Sequence, residues 1–323
     1  MAKQKISDLQ EGTPVATYMQ LEEGQLFNFK NKQGKYALFT FSDSSGSIRG
    51  VCWDKGEKYH SEISDGAIIY VVGKTVMFNN FLQINVESIE PAGDEDYDAE
   101  DFILKTGRDI DQMFDYLLEI IDSVKNEYLG KLLNSVFRDG DFAETFKEAP
   151  AAKTLHHNYV GGLLEHTTNC LRLADTLCGI YPQLDRDLLI SGTMIHDIGK
   201  TVEMSFDKKV DYTDMGRLLG HIVLGQTMIL DKIRAIDGFP EDLKNEMLHL
   251  IVSHHGENAT GSPKRPKTAE ACALHFLENL DAQTKRFLQI IDENSKLRKD
   301  ARWTSYDRLL ERYLYQRPSD EEQ

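Results

Sequence analysis

Residues 194–200 read MIHDIGK, an apolar stretch that closes on an imidazole beside a carboxylate, His196-Asp197, with Lys200 three residues on. Side-by-side nitrogen and oxygen donors suit a divalent cation. If DLLISGTMI is a helix ended near Gly199, Asp197 falls at the negative end of the helix dipole. A carboxylate there is disfavoured by ~0.3–1 kcal/mol unless a positive charge lies close. The pair therefore asks for a cation.

Further donors follow the same logic. The chain has 10 histidines, nine of them after residue 150. In YVGGLLEHTTNCLRLADTL, His166 shares a helical face with Leu163 and Cys170 and should point inward. His221 lies in the apolar stretch GRLLGHIVLG, and His254-His255 precede Gly256. Neighbouring helical side chains diverge by ~100°, so the paired imidazoles can serve one centre only at a helix end, which Gly256 supplies. Asp281 falls in line with Leu274, Leu277 and Leu288, and a buried carboxylate needs a partner. Any one of these alone reads more simply as a satisfied core residue or a cap. Five histidines and two aspartates at inward or terminal helix positions are met together by one metal centre. Lys200 projects toward the same region and could hold a phosphate oxygen, or could simply close the helix. His156 and His157 could also reach the site or lie on the surface, while His249 and His275 carry no directional argument and His60 lies in the N-terminal part of the chain.

These donors must be positioned by helices. From Phe102 almost to the C-terminus apolar residues recur at three- and four-residue steps, predicting an all-α region over 102–323 with the metal-binding core at about 150–290, and the last thirty residues carry no motif. Residues 1–92 instead read as five short strands, QLFNFKNK, KYALFTFSD, SIRGVCWD, AIIYVVGKTVMF and FLQINVESIE, parted by Gly34, Ser44-Ser45-Gly46 and Asn79-Asn80. That pattern predicts a small β-barrel. Residues 93–101 hold six acids and no base, a solvated linker. The expected class is therefore multi-domain α+β.

A net charge of −16 argues against broad, non-specific duplex binding, so any nucleic acid would be met by local patches or by bound metal. Four scattered cysteines suit reduced thiols rather than a disulfide frame. The start lacks an apolar leader, and no stretch approaches ~18 uninterrupted apolar residues, so the expectation is a cytoplasmic chain without a membrane partner.

The order H…HD…H…HH…D resembles the HD phosphohydrolase superfamily in its dinuclear branch. The blocks PAAKTLHHNYVGGLLEHT, GTMIHDIGK, GRLLGHIVLG, SHHGENATGSP and LHFLENLDA look like the YhaM-type 3′-to-5′ exoribonucleases, which join an N-terminal OB-fold to an HD domain. The resemblance implies that His166, His196, Asp197 and Asp281 hold one divalent ion and that His221, His254 and His255 hold a second, with Asp197 bridging. It implies manganese, whereas the donor chemistry alone equally admits iron, cobalt or zinc. It further implies a metal-activated water cutting phosphodiester bonds of single-stranded RNA, with single-stranded DNA left open. His157, Lys264 and Arg265 become candidates for the RNA backbone. Phe29, Tyr36, Arg49, Trp53 and Phe78 become candidates for stacking or phosphate contact on the barrel. A homo-oligomer would be unsurprising. Two competing readings are a cyclic-dinucleotide phosphodiesterase, against which the loop GENATGSPKRP lacks a Gly-Tyr-Pro signature, and a single-strand-binding protein with a structural HD domain.

Overall fold

The computed structural model describes residues 4–29, 33–78, 81–93, 95–98, 101–102, 104–153, 159–205, 210–297 and 301–317. The chain forms two compact units, Met1–Leu104 with Gln289–Gln323, and Lys105–Leu288. This division differs from the sequence-based one, which kept residues 289–323 with the helical region.

In the first unit, β1 (Pro14–Asn28), β2 (Lys35–Asp43), β3 (Gly46–Cys52), β4 (Ile68–Phe78) and β5 (Phe81–Pro91) close into a barrel in the order β1-β2-β3-β5-β4. Alternation makes this possible: Val15, Met19 and Leu21, then Ala37, Phe39 and Phe41, are buried at every second position. Closure comes from β3 and β5, which pair in parallel with Arg49 opposite Gln83, while every other pairing is antiparallel. A short helix, α1 (Gly56–Glu62), links β3 to β4 and buries Tyr59 against the barrel core. The predicted first strand, residues 25–32, is corrected to residues 14–28. The period-2 signal of PVATYMQL was present, but Glu22-Glu23-Gly24 interrupts it where the ladder slips between Leu21 and Glu23.

The second unit is mainly helical: α2 (Ile110–Asp122), α3 (Glu127–Phe137), α4 (Gly140–Glu148), α5 (Gly162–Ile180), α6 (Arg186–Ile195), α7 (Lys200–Glu203), α8 (Asp214–Arg234), α9 (Glu241–Ser253) and most of α10 (Ala269–Leu297). A two-stranded ribbon, β6 (Met204–Ser205) and β7 (Asp211–Tyr212), interrupts the helices. Side-chain oxygens of Asp109, Asn126, Asp185 and Thr213 accept the free N–H groups that open α2, α3, α6 and α8. The first nine or so residues of α5 and the last eight of α6 are almost wholly buried, polar ones included. Helices buried on every side run through the core, and any donor on them is shielded from water. His166 sits on the first of these helices, and the His196-Asp197 pair directly follows the second.

Among the described residues, no helix is long and apolar enough to cross a membrane.

Candidate functional site

Asp197 lies just past α6, 1% exposed, and its two carboxylate oxygens face different imidazoles. Oδ2 is 3.3 Å from His196 Nε2 and 3.8 Å from His166 Nε2, and those two nitrogens are 3.4 Å apart. Oδ1 is 3.5 Å from His254 Nε2 and 3.6 Å from His221 Nε2. Asp197, His221, His254 and His255 form one group whose donor atoms lie within 4.8 Å of one another, and His166, His196 and Asp197 form another. Five of the seven donors expected from sequence, all imidazoles, thus meet around a sixth, the Asp197 carboxylate.

Hydrogen bonding at the far edge of each ring sets the tautomer. His196 Nδ1–H donates to the Thr193 carbonyl (2.8 Å), His254 Nδ1–H to Ile251 (2.7 Å) and His255 Nδ1–H to Thr260 (3.1 Å). A carbonyl can only accept, so in the neutral ring Nε2 keeps its lone pair and turns it inward. His221 Nδ1 bonds to Glu203 Oε1 (3.1 Å), which also accepts the His221 backbone N–H (3.0 Å). Acceptors therefore converge on acceptors: Asp197 Oδ1, His221 Nε2 and His254 Nε2 are buried without a hydrogen-bond partner. Such a pocket is costly when filled by nothing and is satisfied by a cation. The residues fit a divalent metal.

Two glycines make the geometry possible. Gly220 adopts φ 74° inside α8, a left-handed residue that breaks the helix and aims the next N–H, that of His221, at Glu203. Gly199 was expected to end a helix. Instead it is right-handed at the start of α7, and a Cβ there would lie 2.0 Å from the His221 carbonyl oxygen. Its role is close approach of α7 to α8.

The cation that the helix-dipole argument demanded is Lys200, whose Nζ sits 2.7 Å from Asp197 Oδ2 with the side chain 12% exposed. Burial alone would raise the Asp197 carboxyl, but Lys200 and His196 hold it well below the usual range. Burial likewise opposes charge on His196 and Lys200, and Asp197 outweighs it, raising both. Burial drives His254 down to about 3 and His255 to about 4, so both stay neutral at pH 7 and able to ligate.

This fixes a pH dependence. In the unfolded chain these histidines take up protons near pH 6.5, and in the folded chain only near 3–4. Their contribution is fully present above about pH 6.5 and is lost as pH falls toward 4. Urea titrations of the metal-free protein should show stability dropping across that interval, and a His254→Leu variant should show a shallower drop.

Asp281 meets His166 on the outer edge, Oδ2 to Nδ1 at 2.7 Å, and its Oδ1 accepts from Asn169 Nδ2 at 2.8 Å. The resemblance implied a direct ligand; Asp281 falls with His166 and Cys170 in a third group of possible donors within 4.8 Å of one another, and its carboxylate meets the Nδ1 edge of His166. Cys170, set aside at the sequence level, lies beside that pair, but burial pushes its thiol well up and leaves it a neutral neighbour. Three contributors were missed. Glu203 carried no periodic signal because it ends a four-residue helix. Glu278 stands one turn before Asp281, a spacing that could have revealed it, and burial followed by Asp197 pushes it up to about 7. His275 donates from Nδ1 to the His254 carbonyl (2.8 Å).

Because Glu203 holds His221 by both ring and backbone, Glu203→Gln should weaken binding of the ion beside His221 by about 10–100-fold. Calorimetric titration with manganese would register this as a correspondingly lower affinity.

The remaining candidates are more dispersed. Lys264 and Arg265 are exposed after α9, and Arg265 pairs with Glu257 at 2.7 Å. His157 and His156 lie outside the described residues. On the barrel, Tyr36 is 5.3 Å from Phe29 and 5.0 Å from Trp53, centroid to centroid, and Phe27, unanticipated, is 5.7 Å from Tyr36. Trp53 and Phe27 are 43% and 38% exposed, so this is a surface cluster on the β2–β3 side rather than core. Arg49 faces out from β3. Phe78 is exposed opposite Phe81 at the β4–β5 turn and makes no described ring contact with the cluster.

Two families match this chain: an OB-fold nucleic acid binding domain over residues 23–92 and the HD domain over residues 163–283. Among curated proteins, the chain is 31% identical over 287 residues to the 3′-5′ exoribonuclease YhaM of Bacillus subtilis, covering 88% of each. It is 33% identical over 251 residues to that of Bacillus licheniformis and 32% to that of Bacillus velezensis, covering 77% of this chain and 78% of each relative. With an OB barrel, an HD metal pocket and this likeness over most of its length, the chain belongs to the YhaM 3′-5′ exoribonuclease family.

Proposed function

We propose that the protein is a divalent-metal-dependent exoribonuclease that removes nucleotides from the 3′ end of single-stranded RNA, using two ions that share Asp197. The observation that carries this reading is the pair of imidazole groups facing opposite oxygens of one buried carboxylate, with three acceptor atoms left unpartnered. His221, His254 and His255 would hold one ion on the Oδ1 side, and His166 and His196 the other on the Oδ2 side, with Asp281 fixing His166. Manganese suits an all-nitrogen-and-oxygen donor set. When bound, such ions lower the pKa of coordinated water and neutralise charge on a phosphodiester.

The chain's own residues do the rest. Lys200 offers an ammonium to a phosphate oxygen at the rim of the pocket, and Glu278, pushed up to about 7, stands ready to exchange a proton near neutral pH. The Phe29, Tyr36 and Trp53 rings give stacking surfaces for unpaired bases, and Arg49 a cation for the backbone. Lys264 gives a second cation close in sequence to His255, whereas Arg265 is partly neutralised by Glu257.

A 5′-labelled single-stranded RNA incubated with protein and manganese should yield a ladder shortening one nucleotide at a time, abolished by chelator. Cleavage at internal positions only, or hydrolysis of a cyclic dinucleotide in preference to the RNA, would refute the reading.

A further inference from the structure

The last described segment, residues 301–317, is a built element rather than a tail. Gln316 N–H donates to the Arg302 carbonyl, Thr304 N–H to Leu314, and Asp307 and Arg312 exchange both backbone bonds, which makes an antiparallel hairpin. At its turn the Asp307 carboxylate accepts the N–H groups of Leu309 and Leu310 (3.0 and 2.7 Å). One side is buried through Thr304, Leu310, Leu314 and Gln316, and Gln316 Oε1 accepts from Asn294 on α10 at 2.6 Å. The other side presents Trp303, Tyr306, Tyr313 and Tyr315, each between 48% and 59% exposed. Trp303 meets Tyr315 edge to face at 5.4 Å, and Tyr306 meets Tyr313 likewise at 5.2 Å.

One exposed aromatic needs no explanation, but four on one ordered face form a patch that a chain keeps for binding. Edge-to-face pairing leaves ring faces open to a third planar group, and the hairpin has already met the ordering cost. The surrounding charge selects the occupant. Residues 301–317 carry four arginines (302, 308, 312 and 317), all exposed, against two acids, in a chain whose net charge is −16. Aromatic faces interleaved with arginines match unpaired bases joined by phosphates, since arginine both stacks and pairs with phosphate oxygens. The hairpin also belongs to the same compact unit as the barrel.

We infer that this hairpin is a second single-stranded RNA surface, gripping the strand in addition to the barrel. The inference rests on the exoribonuclease reading above, because it assumes a single-stranded RNA substrate.

The test compares wild-type protein with Trp303→Ala/Tyr313→Ala and with Arg302→Ser/Arg308→Ser. Three measurements are made on each: binding of a labelled 2′-O-methyl RNA of about 30 nucleotides in chelator at two salt concentrations, manganese-dependent hydrolysis of a dinucleotide, and sedimentation velocity. The aromatic pair should weaken RNA binding by at least about tenfold. The arginine pair should weaken it and flatten its salt dependence. Dinucleotide hydrolysis and sedimentation should not change, and Trp303→Phe should keep most of the binding. Unchanged RNA affinity in both variants, with the dinucleotide still cut, overturns this inference alone. A drop in sedimented mass would make the patch a contact between copies and overturn it too. A wild-type chain that neither binds the RNA nor cuts the dinucleotide overturns both readings.

Discussion

Asp197→Asn is expected to lower kcat/KM on single-stranded RNA by about 10³-fold or more while leaving RNA binding in chelator near wild-type. Among the described residues, this carboxylate belongs to both imidazole groups, and each of its oxygens faces a different one. Several kcal/mol of transition-state stabilisation come from correctly held ions, and each ~1.4 kcal/mol is a factor of ten in rate. Asparagine matches aspartate in size, so the loss would report charge and ligation rather than shape. It would also strand the Lys200 ammonium, whose partner is Asp197 at 2.7 Å. A double variant, Asp197→Asn with Lys200→Met, should therefore recover thermal stability without recovering activity. Steady-state kinetics with manganese, set beside melting curves, separates the two effects; single-variant activity within tenfold of wild-type would remove Asp197 from the centre of the mechanism.

The largest effect on stability is expected at Glu165, the residue before His166. Its side chain is 4% exposed and accepts from Thr106 Oγ1 (2.6 Å), Tyr159 OH (2.8 Å) and Lys285 Nζ (2.9 Å), with Arg108 Nε at 3.8 Å. These partners come from three separate stretches: residues 105–108, the turn before α5, and α10 one turn beyond Asp281. Removing one member of a buried, hydrogen-bonded charge cluster leaves the others unpaired, a cost of about 3–5 kcal/mol. Lys285 is a third exposed and will be rescued in part by water, so about 3 kcal/mol is the better figure for Glu165→Ala. In a unit of this size that lowers Tm by roughly 6–12 °C. Glu165→Gln, which keeps an acceptor, should lose less. Because Lys285 shares α10 with Asp281, the alanine variant should also bind manganese more weakly at the His166 group. Calorimetric melting in chelator and in excess manganese would show both effects, and a Tm within 2 °C of wild-type would refute the role.

The donors were readable from sequence to the extent that each announced its own direction. His166 lies on an apolar helical face, and His254-His255 stand before a glycine that adopts φ 79° and ends the helix. The partners that orient these donors were not readable. Glu203 reaches His221 only because Gly220 breaks α8, and nothing in GRLLGHIVLG distinguishes a kink from a weak helical position. The Asp281 side chain is 10% exposed beside buried Leu274 and Leu277, but Leu288, expected on the same inward stripe, is 60% exposed, and period alone does not say which edge of His166 the carboxylate meets. On the barrel, a one-residue error in the register of β2 would have turned Tyr36 inward; in the observed register it lies half-buried opposite Phe27, and Trp53, just past β3, is 43% exposed. The C-terminal hairpin was included in the helical region because the all-α reading was extended over 102–323, although this segment carried no motif of its own. The cross-strand bonds of Arg302–Gln316 and Thr304–Leu314 prevail there, with Asp307 fixing the turn.

The central claim is that one carboxylate is shared by two ions, and anomalous diffraction from manganese-soaked crystals tests it most directly. Two peaks should flank Asp197, one beside His221, His254 and His255 and the other beside His166 and His196. A single peak at full occupancy, or peaks remote from Asp197, would contradict the account.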